Sequence, residues 1–345
     1  MARQRKKLSP DGAAPPSLPA AGRGGRRPGR WYVASGLLAL GLGGFLLCGS
    51  PAPAAAPPTP AAQPLTAAAP PRRVAVLVGV ARFADADLPR LAYAGRDVSL
   101  FRNWLLDPRG GAFERRDVFV LLNEAANRPA LDRLTARLAR HTGPRDLVLF
   151  YFSTHGFYTD QGHPALALND TRTTGRQGPD GPILRADTAL DRDDLARLLA
   201  RLPVGRRALV LDVCHGEEVA QGLAGPFSTA GPCPPAQPAA PSLSLAPNAA
   251  APAPALPTSA TLVLASCTAL QKSWESSWLG SSIFTFFLLE GLDQHHGDLV
   301  AAFRYATART GREAWREKGQ TQTPTAAAEL PGCRFDLGPT LPGGL

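Results

Sequence analysis

Two short apolar runs each end on a residue that can do chemistry. The run Asp146-Leu-Val-Leu-Phe-Tyr-Phe leads through Ser153 and Thr154 to His155 and Gly156. The run Arg207-Ala-Leu-Val-Leu-Asp-Val leads to Cys214, His215 and Gly216. A thiolate is a strong nucleophile and a neutral imidazole can take its proton, so a Cys and a His brought together suit covalent catalysis. Such partners meet in the fold rather than along the chain, so their separation in sequence is no obstacle. Both runs are continuously apolar rather than alternating, the pattern of strands buried on both faces. Open parallel sheets bind ligands outside the carboxyl ends of their strands, which is where His155 and Cys214 are expected to meet.

The elements around these runs alternate in type. Strands are expected at Arg73–Val80, Asp117–Leu122, up to His155, up to Cys214, and at Thr261–Ser266. Helical spacing is read at Leu91–Leu106, Asn127–Thr142 with Asn127 as cap, Asp191–Leu202, Ser281–Leu292 and Asp298–Lys318. This order predicts an α/β fold with a mostly parallel sheet and helices on both faces.

The formal net charge is +9, but its location matters more than its size. Arg3, Arg5, Lys6, Lys7, Arg23, Arg26, Arg27 and Arg30 against Asp11 place +7 of it in residues 1–30. The remainder is close to balanced, which argues against a nucleic-acid partner. The five cysteines form no CxxC pair, so neither a zinc-type ligand set nor a disulfide framework is indicated. Residues 31–49 follow as an apolar segment without charge, at the lower length limit for a membrane span. Positive charge before it predicts a cytoplasmic N-terminus, with Trp31 and Tyr32 at the interface. The same segment also fits the core of a cleaved signal peptide, or a lipid anchor at Cys48. All three readings place the rest of the chain beyond the cytoplasmic membrane. Residues 51–71 are nearly all Ala and Pro, a semi-stiff spacer. A second stretch of this kind, 226–257, reads as an insertion into the folded region.

The chain resembles the caspase/metacaspase superfamily, in particular its bacterial caspase-like members. The resemblance is carried by Val78-Gly-Val80, Leu91-Ala-Tyr-Ala-Gly-Arg-Asp97, Tyr151-Phe-Ser-Thr-His155-Gly156 and Leu211-Asp-Val-Cys214-His215. Ala265-Ser-Cys267, Glu275, Phe284-Thr285 and Gln322-Thr-Pro324 add to it. Thr154 stands where the family usually has Gly, and Gly216-Glu217 where it usually has Ser-Gly. The resemblance implies a caspase-like three-layer α/β/α sandwich over residues 72–336, with 337–345 as a tail. It implies a cysteine endopeptidase in which Cys214 attacks and His155 assists, with the backbone N–H groups of Gly156 and Cys214 as the oxyanion hole. It also maps an acidic pocket for Arg or Lys onto Asp97, Ser153 and Asp212. Two carboxylates there favour a cationic side chain before the scissile bond.

The partners expected are therefore a protein or peptide substrate and, through residues 31–49, the bacterial cytoplasmic membrane. No cofactor or metal is called for, although some metacaspases depend on calcium and no dense acidic loop stands out here. A secreted or lipid-anchored enzyme is the alternative location. A catalytically inactive caspase-like scaffold at the membrane is the alternative function.

Overall fold

The computed structural model describes residues 70–225, 260–328 and 335–339. Six strands form the main sheet: β1 (Arg73–Gly79), β2 (Val118–Leu122), β3 (Leu147–Ser153), β4 (Arg206–Asp212), β5 (Ala260–Ala265) and β6 (Thr325–Ala328). Their order across the sheet is β2-β1-β3-β4-β5-β6. All neighbours are parallel except β5 and β6.

The central strands show why the runs read as continuous. Successive side chains leave a strand on opposite faces. In β3, Val148, Phe150 and Phe152 enter one core, and Leu147, Leu149 and Tyr151 enter the other. Val74, Val76 and Val78 of β1 join the first core, while Ala75 and Leu77 join the second. Helices α1 (Ala94–Leu106), α5 (Ile283–Gln294) and α6 (Leu299–Lys318) cover the second face through Phe101, Phe284 and Phe303. Helices α2 (Arg128–His141) and α3 (Arg192–Ala200) cover the first through Leu131, Leu138, Leu195 and Leu199. The result is an α/β/α sandwich, as the pattern predicted. Burying both faces of β1, β3 and β4 leaves only the strand ends free to carry chemistry.

Helix boundaries follow local hydrogen bonding. Asn127 caps α2 by accepting from the Ala130 N–H at 2.9 Å. Asp191 and Asp194 form a reciprocal capping box on α3. Helix α1 begins at Ala94 rather than Leu91, because the N–H groups of Ala92 and Tyr93 donate to the Glu275 carboxylate at 2.9 and 2.6 Å. The four-residue helix α4 (Gly216–Val219) follows Cys214 after one residue, His215.

The structure adds elements between His155 and α3 that the pattern did not predict. Gly156–Tyr158, Pro164–Leu166 and Leu190–Asp191 form a small antiparallel sheet. Thr173–Gly178 and Gly181–Leu184 form a hairpin around Pro179 and Asp180. These strands are short and the hairpin's first arm is polar, so neither carries an apolar period. Leu337, at the start of the segment read as a tail, is buried. Residues 1–30, 31–49 and 226–257 lie outside the described residues, as does nearly all of the 50–71 spacer. Among the described residues no helix is long and apolar enough to cross a membrane.

Candidate active site

Strand register sets the geometry of the site. Gly79 pairs with Ser153, and Ser153 with Asp212, so the carboxyl ends of β1, β3 and β4 lie in a row. Each chain leaves the sheet just beyond this row, β3 into His155 and β4 into Cys214. One cavity beyond the row is lined by Asp97, Ser153, His155, Asp212 and Cys214 together. Those are the five side chains expected there from the sequence. Leu91, Thr154, Ser273, Trp274, Glu275 and Ser282 complete it.

His155 is held by a partner that sequence reading did not identify. Its Nε2 lies 2.9 Å from the Pro89 carbonyl oxygen. A carbonyl only accepts, so Nε2 carries the proton and Nδ1 is left as the basic nitrogen. Phe83 and Phe157 flank the ring, with centroids 5.4 and 4.9 Å away. Burial pushes the imidazole pKa down to about 4, against the opposing pull of the Pro89 bond. The resting ring is therefore a neutral base at neutral pH.

Cys214 is half-buried, with Sγ 4.0 Å from the Ser273 carbonyl oxygen. Burial pushes its thiol up, while the Ser273 contact and the Lys272 charge pull the other way. A lowered His and a raised Cys make a neutral thiol–imidazole pair at rest, not a preformed ion pair.

Gly156 has a steric reason. A Cβ at that position would overlap the Cys214 carbonyl oxygen. The backbone after His155 thus lies directly against the backbone of Cys214. Both departures from the family pattern are accommodated, Gly216 as the first residue of α4, where a Cβ would stand 3.3 Å from the Ala265 Cβ. Thr154 donates its hydroxyl to the Ala167 carbonyl at 2.6 Å, tying the end of β3 to the small sheet. His215 takes a left-handed backbone at φ 58° and caps α4. Its Nδ1 lies 2.7 Å from the Ala269 carbonyl oxygen, so it donates there, and the residue does not line the cavity.

The acidic pair is held by hydroxyls. Asp97, fully buried, accepts from the Ser281 hydroxyl at 2.5 Å and the Ser282 N–H at 3.1 Å. The Ser153 hydroxyl lies 3.5 Å from it. Asp212 accepts from the hydroxyls of Ser273 at 2.6 Å, Ser282 and Thr285. Gln322 holds Ser273 in turn, donating to its hydroxyl at 3.1 Å. Burial, then the charge of Asp212, pushes Asp97 up to about 8. Burial raises Asp212 as well, against three hydroxyl bonds that favour its charged form. Among the described residues neither carboxylate has an ion-pair partner. The cavity measures about 80 Å³.

Ser273, Ser281, Ser282 and Thr285 escaped the sequence reading as site residues. The available signal was the density of serine between 273 and 282, just ahead of an apolar helix. Glu275 lines the cavity but spends both carboxylate oxygens on the Ala92 and Tyr93 N–H groups. Cys267 is a core thiol, pushed up to about 12 by burial and directed at the Val213 and Gln271 carbonyls.

The caspase domain family model matches residues 72–333. The chain belongs to the caspase family. Families of this domain are cysteine peptidases, and the parallel sheet with His155 and Cys214 at its carboxyl edge has that architecture. Solved structures similar to this caspase-family protein include caspase-1 from Spodoptera frugiperda, at 15% identity and a TM-score of 0.47. That match covers 79% of this chain and 91% of the other. A protein from Geobacter sulfurreducens matches at 16% identity and a TM-score of 0.45, over 75% of this chain and 93% of its own. No curated protein matches the chain significantly.

Proposed function

We propose that the protein is a cysteine endopeptidase that cuts after Arg or Lys, with Cys214 as nucleophile and His155 as base. The observation that carries this reading is the pair of buried carboxylates, Asp97 and Asp212, lining the same cavity as the thiol and imidazole without a cation of their own. Buried charges are paired or they neutralise. A guanidinium or ammonium entering the cavity supplies the missing partner and draws Asp97 into its charged form. An aspartyl side chain would add a third carboxylate and is disfavoured.

The chemistry follows in balanced steps. Nδ1 of His155 takes the thiol proton as Sγ of Cys214 bonds to the scissile carbonyl carbon. The oxyanion is held by the backbone N–H groups of Gly156 and Cys214. The imidazolium gives its proton to the leaving amine, the C–N bond breaks, and an acyl-enzyme remains. Water, deprotonated by His155, attacks the thioester and releases the acid and the thiol. The Pro89 carbonyl keeps the basic nitrogen on Nδ1 throughout. Residues 31–49 tether the domain to the bacterial cytoplasmic membrane, a reading that rests on the sequence of that segment.

Active-site-directed labelling tests this. A peptidyl-arginine acyloxymethyl ketone should add to the protein once, at Cys214 by peptide mass mapping, and the aspartyl analogue should not. Equal labelling by the aspartyl reagent, or arginyl labelling that persists in Cys214→Ser, would contradict it.

A further inference from the structure

A second cavity, of about 350 Å³, opens between strand Gly156–Tyr158 and the hairpin Thr173–Leu184. Phe157, Tyr158, Pro179, Asp180, Pro182 and Ile183 line it, and it shares no lining residue with the acidic cavity. The chain itself relates the two. Ser153, Thr154 and His155 line the acidic cavity, Gly156 follows, and Phe157 lines the second cavity. The Phe157 ring is 4.9 Å from that of His155, and Gly156 lies against the Cys214 backbone. Tyr158 is 5.0 Å from His215 and donates to Glu218 at 2.7 Å, so this wall is joined to the segment that carries Cys214.

The hairpin is anchored to the body. Thr173 donates its N–H to the Asp85 carboxylate at 2.8 Å, and Asp160 donates to the Leu184 carbonyl at 2.9 Å. At its tip Gly181 takes φ 138°, where a Cβ would stand 2.6 Å from the Phe157 ring. Only glycine lets the tip sit this close over Phe157. The one formal charge among the lining residues is Asp180, half-buried at that tip and within electrostatic reach of both Cys214 and Tyr158.

We infer that this cavity receives the substrate's leaving-group side, and that it selects a Lys or Arg one or two residues after the scissile bond. An apolar floor with a carboxylate at the lip matches a side chain that is aliphatic along its stem and cationic at its end. Phe157 and Ile183 meet the stem, and Asp180 and the Tyr158 ring meet the head. This rests on the peptidase reading and extends it: the preferred substrates carry basic residues on both sides of the bond.

The test is a set of internally quenched peptides with Arg fixed before the bond. Lys, norleucine or Glu is placed at the first or second position after it. The full-length wild type should cut the Lys peptide with a kcat/KM about fivefold above the norleucine peptide, and the Glu peptide least well. In Asp180→Asn the Lys-to-norleucine ratio should fall to near one, and in Asp180→Lys it should invert. Using the ratio removes any general effect of Asp180 on the thiol. Turnover without discrimination by the wild type, or discrimination that survives both substitutions, overturns this inference alone. No turnover of any of these peptides overturns it together with the peptidase reading.

Discussion

Replacing Asp97 with Asn should make the protein more stable and a far poorer enzyme. Asp97 is fully buried, and burial with the Asp212 charge pushes its carboxyl from the ordinary value of 3.8 to about 8. A carboxyl raised on folding holds its proton more tightly in the folded state. Stability is therefore lost as pH rises from about 4 to about 8, and the loss is constant above that. At pH 7 the loss spans about three pH units at roughly 1.4 kcal/mol each, about 4 kcal/mol. Asn does not titrate and escapes it. Its oxygen still accepts from Ser281 and Ser282, and its amide can donate to the Ser153 oxygen. Allowing for imperfect amide geometry, a net gain of about 2 kcal/mol at pH 7 is expected, growing between pH 5 and pH 8. The cost falls on the substrate. Removing one partner of a buried ion pair costs about 3 kcal/mol, roughly a hundredfold in kcat/KM. The assay pairs calorimetric melting at pH 5 and 8 with turnover of arginyl and citrullinyl peptides, which differ in charge and little in shape. Asp97→Asn should melt several degrees higher at pH 8 and lose most of the arginine preference. A variant that melts no higher at pH 8, or still separates arginine from citrulline, would refute the reasoning.

Three further outcomes follow from the same geometry. Gly156→Ala forces a Cβ into the Cys214 carbonyl oxygen, so kcat should fall about a hundredfold with near-native circular dichroism; a change under threefold would contradict the packing. The kcat/KM for arginyl peptides should rise with pH up to about 8, as Asp97 takes its charged form, while His155 stays neutral down to about 4; an acid limb centred near the free-histidine value of about 6.5 would contradict the assignment. Between His215 and Ser259 there is no Lys, Arg or Asp, so the chain should stay uncut across 216–258. Fragments split within that segment by intact mass spectrometry, and absent in Cys214→Ala, would contradict single-chain action.

The sheet was legible because β1, β3 and β4 are buried on both faces, which makes their runs continuously apolar. Their ends pointed to His155 and Cys214, whereas Asp97, Ser153 and Asp212 came from the family resemblance. Strand β6 was not legible, because Thr-Ala-Ala-Ala carries little strand preference and pairs only with β5 at the sheet edge. The hairpin at 173–184 was hidden for a related reason. Its polar first arm gains order from Asp85 and from packing of the Gly181 tip on Phe157, contacts with no local period. The orienting group of His155 was invisible in principle, since it is a backbone carbonyl that any residue at position 89 would supply. The serines around Asp97 and Asp212 were visible as composition, but their role depends on a loop reaching back across nearly the whole domain.

The most direct test of the central claim is turnover by the purified protein of fluorogenic peptides ending in Arg, Lys or Asp, with and without calcium, beside Cys214→Ala. The account predicts release after Arg and Lys, little or none after Asp, and none from the variant. Preferential release after Asp would contradict the acidic pocket, and a folded protein that turns over none of them would contradict the peptidase itself.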